Sequence, residues 1–115
     1  MGKLQIHVGE DYDRMTARLL DAVQRAEAGE DVRENHLTFE NWETLVKVLT
    51  PKRMELLHHL RLSPTASIAE LARALGRDYK RVHEDVEYLT ELGLIERGED
   101  GLRVEVEEIR AQIAI

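Results

Sequence analysis

From Lys3 to Val8 apolar and polar residues alternate, with Leu4, Ile6 and Val8 on one side and Gln5 and His7 on the other. That period of two predicts a short strand. After Gly9, Glu10-Asp11 open a segment in which Met15, Leu19, Ala22, Val23 and Ala26 recur on one face of a helix that stops at Gly29. His36-Leu37-Thr38-Phe39, within Asp31–Glu40, predicts a second strand. Trp42, Leu45, Val46 and Leu49 predict a two-turn helix. Strand-helix-strand-helix in fifty residues is too little for a core of its own. Residues 1–50 are therefore expected to be an extension that docks on the rest of the chain or on a second copy, serving as a dimerisation element.

Thr50-Pro51 is the sharpest boundary: a capping hydroxyl, then proline at the first helical position. The helix beyond it carries Met54, Leu56, Leu57 and Leu60 and stops before Ser63-Pro64. Ser67-Ile68-Ala69-Glu70 reads as a capping box, with Ser67 and Glu70 expected to satisfy each other's backbone amides. Ile68, Leu71, Ala72 and Leu75 line the inner face of that helix, and Gly76 ends it. Asp78 caps a third helix, 78–92, with Val82, Val86, Leu89 and Leu92 inward and Gly93 at its end. Leu94–Arg97, a turn at Gly98-Glu99-Asp100-Gly101, and Leu102–Val106 predict a β-hairpin over 94–106. Residues 107–115 are expected to form a short C-terminal helix.

Composition narrows the class. The chain has 115 residues, 43% hydrophobic and 34% charged, which is a globular rather than a disordered balance. It has no cysteine, which removes disulfide frameworks, thiolate metal sites and cysteine nucleophiles. No apolar run reaches membrane-spanning length, and the start of the sequence has no signal-peptide core. A cytoplasmic protein is expected. The formal net charge is −7, divided as −4 before Pro51 and −3 from it onward. A nucleic-acid binder gains much of its affinity by neutralising phosphates, so any such role must rest on a local positive patch.

Three short helices, a tight turn between the second and third, then a hairpin, is the order of a winged helix-turn-helix. In that arrangement two helices hold the third outward so that it enters a major groove about 12 Å wide, and the hairpin lies along the backbone beside it. The stretch Leu49–Val106 resembles the winged helix domain of prokaryotic transcriptional regulators of the MarR-like type. The residues that carry the resemblance are Ser67-Ile68-Ala69-Glu70-Leu71-Ala72, then Val82, Leu89 and Gly93-Leu94-Ile95. More narrowly, Leu49–Leu57 together with Leu75–Val86 is similar to a group of small DNA-binding regulators, some of them antitoxin-like partners of small toxins. The resemblance implies an α+β fold: a winged helix-turn-helix domain at 51–106 behind the strand-helix-strand-helix extension.

On a wheel, Lys80, Glu84 and Glu87 lie opposite Val82, Val86 and Leu89, flanked by Arg81 and His83, with Arg77 in the preceding turn. The expected DNA-contacting set is Arg77, Tyr79, Lys80, Arg81, His83 and Glu84 on the 78–92 helix and its turn, with Arg97 and Arg103 on the hairpin. An exposed Arg81–Asp85 pair at i, i+4 would be worth only ~0.3–0.5 kcal/mol and would not trap the arginine. His58 and His59 are adjacent on a helix and point apart, and His7, His36 and His83 show no ligand spacing, so no metal or other cofactor is expected. No phosphate loop follows a strand, and Glu84-Asp85 and Glu107-Glu108 are not paired acids. No enzyme is expected. The leading expectation is a regulator that binds double-stranded DNA as a homodimer. The rival is a protein-interaction winged helix, for example an antitoxin that neutralises a toxin-like protein partner.

Overall fold

A computed structural model describes residues 2–31 and 35–115. The fold is mixed α and β, with five helices and two small sheets among those residues. The chain divides into two units: Leu49–Glu107, and Gly2–Val48 together with Glu108–Ile115.

The Leu49–Glu107 unit begins with α3 (Pro51–Leu62), α4 (Ile68–Leu75) and α5 (Tyr79–Glu91). Each start is fixed by a side chain that accepts a hydrogen bond from the first turn. Thr50 takes the N–H of Arg53, Ser67 that of Glu70, and Asp78 that of Arg81. The Ser67 box is one residue wider than expected: the Glu70 carboxylate accepts from the N–H of Ala66 at 3.2 Å rather than from Ser67 itself. Gly76 adopts the left-handed conformation (φ 63°, ψ 35°), and the amides of Gly76 and Arg77 bond back to the carbonyls of Arg73 and Ala72. That is the turn a residue without Cβ favours. It lets α5 follow α4 after three residues. Leu56, Leu57, Leu60, Ile68, Leu71, Val82, Val86, Leu89, Leu94 and Ile95 are buried, whereas Met54, among the apolar residues of α3, is 40% exposed.

A hairpin of β3 (Glu96–Gly98) and β4 (Gly101–Arg103) follows. It is shorter than the predicted 94–106 strands: Leu94 and Ile95 enter the core instead, and Val104-Glu105 lie outside any strand. Leu102 exchanges both backbone hydrogen bonds with Thr65 (2.8 and 3.2 Å), fastening the hairpin to the α3–α4 loop.

The second unit holds β1 (Gly2–Val8), α1 (Tyr12–Glu27), β2 (Asn35–Phe39), α2 (Trp42–Val48) and β5 (Val106–Ile113) from Glu108 onward, with β1 in the middle of a β2-β1-β5 sheet. β1 and β2 are parallel, Leu4 opposite Asn35 and Val8 opposite Phe39, and α1 makes the crossover between them. Lys3 meets Glu108 at one end of β1 and Ala114 bonds Val8 at the other, so β5 also runs parallel to β1. The expected C-terminal helix over 107–115 is thus a strand. Val106, Ile109 and Ile113 fit a helical face as well as they fit a strand, and the open edge of β1 decides between the two. α1 and α2 form as expected, but their burial differs. α1 buries none of its residues, with Leu19, Leu20 and Val23 all more than half exposed. In α2 the inward pair is Leu45 and Val48, leaving Trp42 and Val46 exposed.

Candidate functional site

α5 is an amphipathic helix held against α4 by Val82, Val86 and Leu89, so its opposite face is open. Lys80, Arg81 and Glu84 all lie on exposed positions of that face. Neither Lys80 nor Arg81 forms an ion pair among the described residues; the backbone N–H of Arg81 is taken by the Asp78 cap, leaving its guanidinium outward. Tyr79 is 53% exposed and its ring tilts against His83, centroids 5.9 Å apart. His83 is half-buried and lies 3.7 Å from Glu87. Tyr79 also faces the hairpin across a groove of about 330 Å³ that Ser67, Ile68, Arg97 and Gly98 help to line.

Three of the expected contact residues are engaged elsewhere. Arg77 is mostly buried, and its Nη2 donates to Asp85 at 2.9 Å. Asp85 also accepts from Arg53 Nε at 3.0 Å, and the Arg53 guanidinium sits 4.6 Å above the Tyr88 ring. Asp85 therefore serves Arg53 and Arg77, not Arg81, and Arg77 belongs to the frame of α3, α4 and α5 rather than to the open face. Arg97 donates to Glu87 at 2.6 Å, joining the hairpin to α5. Arg103 lies 3.1 Å from both Glu96 and Glu105. Among the expected contact residues the arginine or lysine charge that stays open is thereby that of Lys80 and Arg81, at the first turn of α5.

A second polar cluster, unforeseen from residue spacing, lies in the sheet unit. His7 on β1 and His36 on β2 meet at 2.8 Å because parallel pairing makes neighbours of residues 29 apart. His7 Nδ1 lies 3.1 Å from Glu10, and Arg18 of α1 donates to the same carboxylate at 2.7 Å. The donor at His7 Nδ1 leaves its Nε2 to accept from His36. Burial and the nearby Arg18 hold the His7 pKa below its ordinary value, against the pull of Glu10. The hydrogen bond from Arg18 holds Glu10 below the usual carboxylate range despite burial. Among the described residues no group of three or more His, Cys, Asp and Glu side chains is placed to hold a metal ion, and no helix is long and apolar enough to cross a membrane.

Compared with known families, residues 48–111 match the family model described as HVO_A0114, more than half of the chain, and the chain belongs to that family. No curated protein matches it.

Proposed function

We propose that this member of the HVO_A0114 family is a sequence-specific DNA-binding transcriptional regulator of the winged helix-turn-helix type, acting as a cytoplasmic homodimer. In this reading α5 is the recognition helix and the β3–β4 hairpin is the wing. The observation that carries it is the pair of unengaged cations, Lys80 and Arg81, on the first turn of a helix whose other face is locked into a core. Recognition helices reach base edges through that end. The reading needs no catalytic residue and no cofactor. Dimerisation follows from size, because a single module of this kind buries only ~600–1,000 Å² on DNA, which is small for strong specificity. It works in a negative protein because phosphate repulsion from the rest of the surface raises the threshold for indiscriminate binding.

A second reading has its own support. Arg97 and Arg103, which a wing would lay along phosphates, are each neutralised by carboxylates at 3.1 Å or less. A hairpin so paired suits a protein surface, as in an antitoxin that binds a toxin-like partner. Fluorescence anisotropy of labelled promoter DNA at two salt concentrations separates the two. Regulator binding weakens steeply with salt, and Lys80→Ala or Arg81→Ala costs about 1–3 kcal/mol and relaxes preference at one position of each half-site. Absence of any salt-dependent DNA binding by the wild type leaves the protein-binding reading.

A further inference from the structure

The outer strand of the sheet indicates where two copies meet. β5 lies at one end of the β2-β1-β5 order, so along Val106–Ile113 one line of its backbone groups faces away from β1. Such an edge recruits another strand unless something blunts it. The segment contains no proline and no glycine. The Ala114 N–H bonds the carbonyl of Val8, so even-numbered positions of β5 turn their backbone groups toward β1. Alternation then sends the N–H and C=O groups of Glu107, Ile109, Ala111 and Ile113 outward.

The charges on the strand select a register. Glu108 and Arg110 stand on one face, either side of Ile109, and within one chain they already pair at 2.6 Å. A twofold axis perpendicular to the sheet keeps each face on its own side only if it passes through a residue opposed to itself. The two such registers with the longest overlap of Val106–Ile113 are centred on Ile109 and on Arg110. Centring on Arg110 sets two arginines directly against each other, which is destabilising. Centring on Ile109 makes Ile109 a hydrogen-bonded pair with its own copy. It also sets Glu108 opposite Arg110 of the second copy, twice, at the non-hydrogen-bonded positions where side chains approach most closely.

We propose that β5 pairs antiparallel with β5 of a second copy, centred on Ile109, to continue the sheet as β2-β1-β5-β5-β1-β2. The inference rests on the homodimer of the proposed function and gives it a location. The exposed Leu19, Leu20 and Val23 of α1 offer a rival surface, but a helix pairs its backbone groups internally and has no open hydrogen-bonding line to set a register.

Sedimentation of the full chain tests the assignment. The wild type is expected to be dimeric at micromolar concentration. Glu108→Arg should raise the dissociation constant about tenfold or more, since two favourable cross-strand pairs become repulsive, and Glu108→Arg with Arg110→Glu should restore it. Ile109→Pro removes an outward N–H and no backbone hydrogen bond to β1, so the circular dichroism of the folded chain should be retained while the dimer is lost. Because the chain has no cysteine, Ile109→Cys should give a disulfide-linked dimer on mild oxidation, as directly opposed hydrogen-bonded residues stand ~5.5 Å apart at Cα. Ile113→Cys, not opposed to itself, should not. A monomeric wild type overturns the proposal. So does a dimer indifferent to Glu108→Arg that instead dissociates on Leu19→Glu. DNA titration is read separately: a dimer with this register that binds no DNA removes the regulator reading and leaves the strand pairing standing, and a DNA-binding monomer does the reverse.

Discussion

In the Leu49–Glu107 unit every helix contributes side chains that water does not reach: Leu56, Leu57 and Leu60 from α3, Ile68, Leu71 and Ala72 from α4, Val82, Val86 and Leu89 from α5. In the sheet unit α1 is the longest helix of the fold, at 16 residues, and contributes none. Its apolar residues are as regularly spaced as those of α4. The core of the sheet unit is instead the strand residues Leu4, Ile6, Val8 and Phe39 with Leu45 and Val48 of α2. α1 is held at its start, by the Asp11 cap and the Arg18–Glu10 pair. Amphipathic spacing reports that a helix has an apolar face. It does not report whether the chain itself covers that face.

The polar groups differ in the same way. In the helical unit Asp85 sits between Arg53 and Arg77, all three side chains less than 20% exposed, and ties α3 and the α4–α5 turn to α5. One nitrogen of Arg77 is buried without a hydrogen-bond partner, so the triad has no spare acceptor. In the sheet unit the buried polar group is a His7–His36 pair leaning on Glu10.

The largest expected effect sharpens this contrast. Asp85→Ala removes the carboxylate that Arg53 and the partly buried Arg77 share and should lower the stability of the helical unit by about 3 kcal/mol in urea denaturation. Amide exchange in β1 and β2 should be unchanged; equal loss of protection there would mean that the two units unfold as one. Gly101→Ala should follow, at about 2 kcal/mol. Its φ is 113°, and a Cβ there would collide with the Thr65 carbonyl oxygen and come within 2.7 Å of Ala66 Cα. The Thr65–Leu102 bridge should be the first hydrogen bonds lost by exchange, with α4 and α5 retained. Gly76→Val, where no atom lies within 4 Å of an added Cβ, should cost about 1–2 kcal/mol through backbone strain alone. An unchanged melting curve would remove the left-handed turn from the account.

The smallest effect belongs to the sheet unit and depends on pH. His7 and Glu10 both have folded values below their ordinary ones of 6.5 and 4.5, so the unfolded chain binds more protons as pH falls. Their contribution is complete above pH 6.5. The His7 part is lost as pH falls from there through its lowered value, and the Glu10 part is lost below 4.5. Thermal melts at pH 7.5 and 5.5 should show a loss of sheet protection at the lower pH, absent from His7→Phe.

Much of the helical unit was legible because its signals are local. Thr50, Ser67 and Asp78 cap the helices they were expected to cap, and Gly76 and Gly93 close α4 and α5 with hydrogen bonds back into the last turn. Lys80, Arg81 and Glu84 were legible as an open face for the same reason. Arg77 was not. Its position in the turn is local, but its partner is set by how α5 returns against α3 and α4, and Asp85 reaches a buried bidentate role that outweighs a weak exposed pair with Arg81. The strand over Val106–Ile113 and the His7–His36 contact were hidden for a related reason, since each depends on a parallel neighbour far away in sequence. For Glu107–Ile115 the local pattern fits helix and strand alike.

The placement of β5 has a consequence for the order in which the molecule is built. β1 emerges before the helical unit, yet its second neighbour β5 is encoded after α3, α4, α5 and the hairpin. Closing that loop of about 100 residues is entropically slow compared with the neighbour-to-neighbour packing of α3, α4 and α5. During synthesis the helical unit can therefore reach its native packing while β1 still has β2 on one side and an open edge on the other. For that interval the nascent chain exposes a central strand, and the sheet closes only when the ribosome has delivered a segment that by itself is undecided between helix and strand.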